Sequence, residues 1–231
     1  MQAQEIKERL QSLVEEASII EPKLARRLEE INRWVKNVKP GSLTAKPLLS
    51  LFLLQIILDA DAWLKFQALA SKDEQQDAIN ALNPTVRYWY SDLFPKWLSE
   101  YDPKFYIWKQ KLMAGEFCHQ DNNLIKSIAN SINRQNGSIV QRYIADLSMA
   151  TDIIVCNRQE KPLCVQFTSL AVEYSQQKLD DWQASLRFWG VERGLFLSYN
   201  PNVDDFLNRI VNISLHNSDN LHVGIYLKFN V

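Results

Sequence analysis

Glycine and proline are scarce in this chain, 6 and 8 among 231 residues. No tract of either is long enough to act as a flexible linker, and there is no internal repeat or low-complexity run. Cysteine is scarcer still. Cys118, Cys156 and Cys164 form no CxxC pair and have no histidine at ligand spacing, which argues against a disulfide framework and a structural zinc site. Basic charge shows no excess: 26 Lys and Arg stand against 27 Asp and Glu, for a net charge of −1 and a sequence pI of about 6.3. A domain whose main work is to coat DNA is basic, because phosphate neutralisation drives its affinity. Phosphate-binding loops of the GxxxxGK[ST] and GxGxxG types are absent. His119, His216 and His222 are scattered and yield no nucleophile–base–acid order. The opening MQAQEIKERLQSLVEE lacks the apolar core of a signal peptide. The most apolar stretch, Pro47 to Leu58, is shorter than the roughly 18 residues a membrane span needs, so it reads as a buried helix. These absences lead to the expectation of a cytoplasmic protein with no membrane association.

What is present is an ordinary globular composition, 46% apolar and 23% charged, on a chain long enough for one large domain or two small ones. The first half reads helical. Ile6, Leu10, Leu13 and Val14, then Leu24, Leu28, Ile31, Trp34 and Val35, recur at spacings of three and four. Glu21–Pro22 predicts a break between two helices, and Lys39–Pro40–Gly41–Ser42 ends the pair. A buried helix follows from Pro47 to about Ala70. Asp73 is a candidate cap for a short helix through Leu82, and Asn83–Pro84–Thr85 starts another. From Tyr88 to Trp108 nine aromatics alternate with Arg87, Lys96, Lys104, Lys109 and Lys111. This pattern fits either a helical core or a surface on which nucleobases stack, and the helical spacing of the aromatics favours the core.

Beyond Gly115 the character changes. A helix is expected over Asn123 to Gln135, then strands at Ser138–Ile144, Asp152–Asn157 and Pro162–Ser169. Ser175 caps a helix to Trp189, Gly194–Tyr199 is a fourth strand, Val203–Leu215 a last helix and Leu221–Phe229 a closing strand. The expected fold is α+β (mixed α/β), with a helical region over residues 1–114 and a mixed-sheet domain over 115–231.

The order helix, three strands, helix, strand, with TDIIVCNRQEKPLCVQFTS at Thr151–Ser169 at its centre, resembles the core of the PD-(D/E)XK (restriction-endonuclease-like) nuclease superfamily. The resemblance covers about Glu116 to Tyr199. It implies an aspartate opening one strand, here Asp152, and on the next strand an acid or glutamine, any residue, then lysine. Gln166 holds the first of those positions and Thr168 the last. The resemblance implies nucleic acid as partner and Mg²⁺ as cofactor if the site is active, bound by Asp152, Gln166 and a helix-borne acid, Glu116 or Asp121. A hydroxyl carries no positive charge, so the motif is degenerate at Thr168. The missing cation is expected from Lys178 on the following helix or from Lys161 at the head of the strand. Strand periodicity puts Cys164, Gln166 and Thr168 on one face and turns Leu163, Val165 and Phe167 to the core. Two readings follow from the resemblance: a metal-dependent nuclease with a rearranged site, or an inactive nuclease fold serving protein interaction or self-assembly through its helical half. A third sets the resemblance aside and has a helical protein with an unrelated α/β half acting through protein contacts.

Overall fold

The computed structural model describes residues 3–114, 119–169 and 172–231. The chain is mixed α+β and divides into two compact units, Met1–Leu82 with Phe94–Phe117, and Asn83–Leu93 with Cys118–Val231. The segment 83–93, expected in the helical half, therefore folds with the second unit.

The first unit is helical. α1 (Ala3–Ile20) and α2 (Pro22–Lys36) meet at the expected Glu21–Pro22 break, and the Glu21 side chain caps the Lys23 N–H. They bury Ile6, Leu10 and Leu13 on one side and Leu24, Leu28, Ile31 and Val35 on the other. The pair ends at Lys36, just ahead of the expected stop at Lys39–Ser42, and a short helix, α3 (Pro40–Ala45), starts within that stop. α4 (Pro47–Gln67) runs well past Leu58. It is thus the one helix among the described residues long and apolar enough to cross a membrane by length and composition, with half of that stretch buried inside the protein. Phe52, Leu53, Ile56 and Trp63 are among its buried side chains. α5 (Lys72–Asn80) is capped by Ser71, whose hydroxyl accepts the Glu74 N–H at 3.2 Å, and not by Asp73. α7 (Phe94–Ser99) and α8 (Phe105–Ala114) complete the unit.

The second unit starts with α6 (Pro84–Tyr88) and one π-helical turn, Trp89–Leu93. Then come α9 (His119–Arg134), β1 (Ser138–Val140), α10 (Tyr143–Met149), β2 (Ile153–Cys156), β3 (Leu163–Thr168), α11 (Val172–Phe188), β4 (Gly194–Ser198), α12 (Phe206–Asn220) and β5 (Tyr226–Asn230). The five strands form one sheet in the order β1-β2-β3-β4-β5, antiparallel across β1/β2 and β2/β3 and parallel across β3/β4 and β4/β5. The expected first strand ends early, at Val140. Ile144, Ala145, Leu147 and Met149 instead bury themselves as the short helix α10. α11 begins at Val172, so Ser175 lies inside the helix and is not its cap.

Each face of the sheet has its own helices. Ile153, Val155, Leu163, Val165, Phe167, Leu195 and Leu197 pack with Ile125, Ile128 and Ile132 of α9 and Ile210, Val211 and Leu215 of α12. The alternate residues face α11, whose Trp182 lies 5.5 Å from the Phe196 ring and 5.8 Å from Tyr226. The buried Arg193 guanidinium donates to the carbonyls of Pro162, Asn217, Ser218 and Leu221, pinning the end of α12 to the head of β3. Gly194 lets α11 sit close. A Cβ there would lie 2.4 Å from Leu186 Cδ1 and 2.8 Å from Trp182 Cζ2. Gly194→Ala is therefore expected to cost about 1–3 kcal/mol, the usual range for overpacking, read as a lowered urea midpoint.

Candidate active site

Antiparallel pairing sets Ile153 against Val165 and Ile154 against Cys164. One step further along the same register, Asp152 stands opposite Gln166. Its backbone N–H donates to the Val165 carbonyl at 2.9 Å. Its Oδ2 accepts the Gln166 Nε2 at 2.8 Å and the Phe167 backbone N–H at 2.6 Å. Asp152 and Gln166 thus meet on the α11 face of the sheet, as the strand periodicity requires.

Thr168, two residues beyond Gln166, is buried on the same face. Its Oγ1 accepts a hydrogen bond from the Lys178 Nζ at 3.1 Å. Lys178 sits two turns into α11, exposed along its stem but with its ammonium group on a buried strand hydroxyl. Of the two lysines considered from the sequence, Lys178 reaches this face. Lys161 does not: it precedes β3 and its Nζ contacts the Asp219 carbonyl at 3.4 Å. Five residues separate it from Gln166, about 16 Å along an extended chain.

The structure adds Asp146 of α10, which sequence reading missed. Its carboxyl neighbours that of Asp152 and disfavours the ionised form of it. The helix holding it ends in a left-handed turn at Ala150 (φ 51°), closed by the Thr151 N–H on the Ala145 carbonyl at 3.0 Å. That turn leads the chain directly into Asp152. Burial, first, and then the Asp146 charge hold the Asp152 carboxyl well above the usual carboxylate range. The Phe167 N–H and the Lys178 charge pull it the other way. Burial also raises Tyr143, one turn before Asp146, with the Asp146 charge adding to it. Two neighbouring carboxyls cannot both ionise at low cost.

Cys156 and Cys164 are buried and not joined in a disulfide, and burial pushes the Cys156 thiol up to about 12. Glu116 and Cys118 lie outside the described residues, as does the side chain of Asp121. Among the described residues no group of three or more His, Cys, Asp or Glu side chains converges as a metal site. The cluster is two carboxyls, one amide, one hydroxyl and one ammonium group. Comparison with models of known protein families, with curated proteins and with solved structures finds no match.

The carboxyl pair has a thermodynamic signature. In the unfolded chain Asp152 titrates near its ordinary value, about 4, and in the folded chain higher. The native state therefore binds more protons between those two values, and stability falls as pH rises from about 4 through the folded pKa. Asp152→Asn keeps an oxygen for Phe167 N–H and gains an N–H for Asp146. It is expected to raise the unfolding free energy at pH 7.5 by about 1–2 kcal/mol, within the usual range of stabilising replacements, and to flatten that pH dependence. Thermal melts of both proteins from pH 4 to 9 check this; a lower melting temperature for the variant at pH 7.5 contradicts it.

Proposed function

We propose that this chain is a cytoplasmic, metal-dependent phosphodiesterase acting on nucleic acid, a rearranged member of the PD-(D/E)XK nuclease superfamily. One observation carries the reading: Lys178 reaches Thr168, the strand position where the resemblance puts lysine, on the face that holds Asp152 and Gln166. The order of elements and the mixed sheet support it. The donor set fits a hard divalent cation such as Mg²⁺, which takes one or two carboxylates and fills its remaining positions with water and phosphate oxygens. Asp146 and Asp152 would hold the ion, which when bound polarises the phosphate and lowers the pKa of an attacking water. Gln166 does not need to ionise. Its amide fixes Oδ2 of Asp152. Lys178, held by Thr168, presents an ammonium group that offsets the negative charge building on the phosphate oxygens and orients the water.

A second reading is that the domain keeps the fold without hydrolysis and serves protein contacts or self-assembly through its helical half. The neutral Thr168 and the net charge of −1 favour it. Incubating the protein with single- and double-stranded DNA and RNA, with Mg²⁺ or Mn²⁺, separates the two. The nuclease reading expects cleavage that EDTA stops. Asp152→Asn and Lys178→Met are each expected to lower the rate by about 10²-fold or more, the scale of losing one preorganised electrostatic contact. No cleavage of any substrate with either metal establishes the inactive reading. Cleavage unchanged by Lys178→Met removes the lysine from the mechanism.

A further inference from the structure

The aromatic run at residues 88–108 separates into two populations. Trp89, Tyr90, Phe94, Trp97 and Trp108 are buried. Tyr101 and Tyr106 are not: they are 80% and 63% exposed. The chain beneath these two rings is fixed. Asp102, next to Tyr101, is buried, and its Oδ2 accepts both the Trp97 and the Trp108 indole N–H at 3.2 Å. Its Oδ1 caps α8 by accepting the Lys104 N–H at 2.9 Å. Phe105 packs edge-on against Trp108 at 4.8 Å, and Trp108 in turn against Phe52 and Trp34. The Lys109 ammonium group lies 5.2 Å from the centre of the Tyr106 ring and 5.7 Å from that of Phe105. From Pro103 to Ala114 there are three lysines and no acidic residue.

We infer that the start of α8, with Tyr101, Tyr106 and Lys109 as its core, binds single-stranded nucleic acid. Three features select that partner. Exposed rings on a fixed backbone offer a π-face to any unpaired base and lose little entropy on binding. The lysine beside the ring supplies the charge that the phosphate of a stacked nucleotide requires. A paired base hides both faces in its own stack, so duplex has nothing to offer these rings. A lipid surface is the competing partner for tyrosine and lysine together. An interfacial helix, however, needs a continuous apolar face, and α8 turns Trp108 and Leu112 inward and leaves Ile107 as its one exposed aliphatic of large size. This surface lies in the first unit, and the inference stands whether or not the second unit hydrolyses anything.

The test is fluorescence anisotropy of a labelled 15-mer of thymidylate with the full chain in EDTA, at 50 and 200 mM salt. The same protein is tested against a duplex of equal length and, by sedimentation, against vesicles with one-third anionic lipid. The single strand is expected to bind at least tenfold tighter than the duplex. Tyr101→Ala and Tyr106→Ala should each weaken binding about tenfold, the scale of one lost base stack. Lys109→Gln should weaken it and flatten its salt dependence. Tyr101 and Tyr106 are exposed and Lys109 is half-exposed, so circular dichroism and melting temperature should not change. No binding of the single strand at 50 mM salt, wild-type affinity in both tyrosine variants, or capture by vesicles without capture of the oligonucleotide each overturns the proposal.

Discussion

The antiparallel register of β2 and β3 is the constraint from which the second unit takes its form. With Ile153 against Val165, every residue on one face of the pair is apolar and packs on α9 and α12. Everything on the other face is then free to be something else. Asp152, Gln166 and Thr168 fall there because side chains alternate with a period of two. A slip by one residue would bury a carboxyl, an amide and a hydroxyl among isoleucines and valines and turn those apolar groups out. The apolar face thus stabilises the register and the polar face is placed by it.

Two helices then bring charge to that face from outside the strands. α10 ends in a left-handed residue, a conformation that costs an alanine about 1 kcal/mol or more, and that turn brings Asp146 back against Asp152. α11 is seated by the absence of a side chain at Gly194 and by Trp182 on Phe196. One turn closer to its start, its Lys178 lies over the end of β3. Neither charge depends on the strand sequence, so a neutral threonine at position 168 leaves a positive charge at the site.

Much of this was legible in the sequence because much of it is local periodicity. The alternation in PLCVQFTS fixes the two faces of β3, and the helix breaks at Glu21–Pro22 and Asn83–Pro84 follow from the chemistry of proline. Strand phase puts Gln166 and Thr168 on one face, while Asp152 and Lys178 are singled out through the resemblance. Asp146 was not legible, because SIVQRYI carries β-formers that continue the strand reading and the seven residues of α10 are too few for a helical period to declare itself. Reading ADLSMAT as a last helical turn would have revealed an acid six residues before Asp152. The role of segment 83–93 was hidden for another reason. Its aromatics are spaced like those that follow in α7, and which core each one enters is decided by tertiary packing alone. In the same way, helical spacing treats Tyr106 and Trp108 alike, and only the fold shows that one is exposed and the other buried.

The carboxyl pair is the feature least explained by stability. Apolar side chains of equal volume at positions 146 and 152 would avoid both the desolvation of two acids and their repulsion, and replacements of that kind for buried charges are often neutral or stabilising. The surrounding hydrogen bonds do not cancel that cost. Phe167 N–H and Lys178 favour the ionised form of Asp152, yet burial and Asp146 outweigh them. A divalent cation would reverse the balance, because two adjacent carboxylates that repel one another in its absence both become ligands in its presence. Lys178 is placed where it does not prevent this. Its ammonium group is held by a neutral hydroxyl at 3.1 Å. Acids left close to one another, with a cation held beside them by an uncharged group, form a poor device for holding a fold together, and the proposed reading gives them a different task, to receive a metal ion and a phosphate.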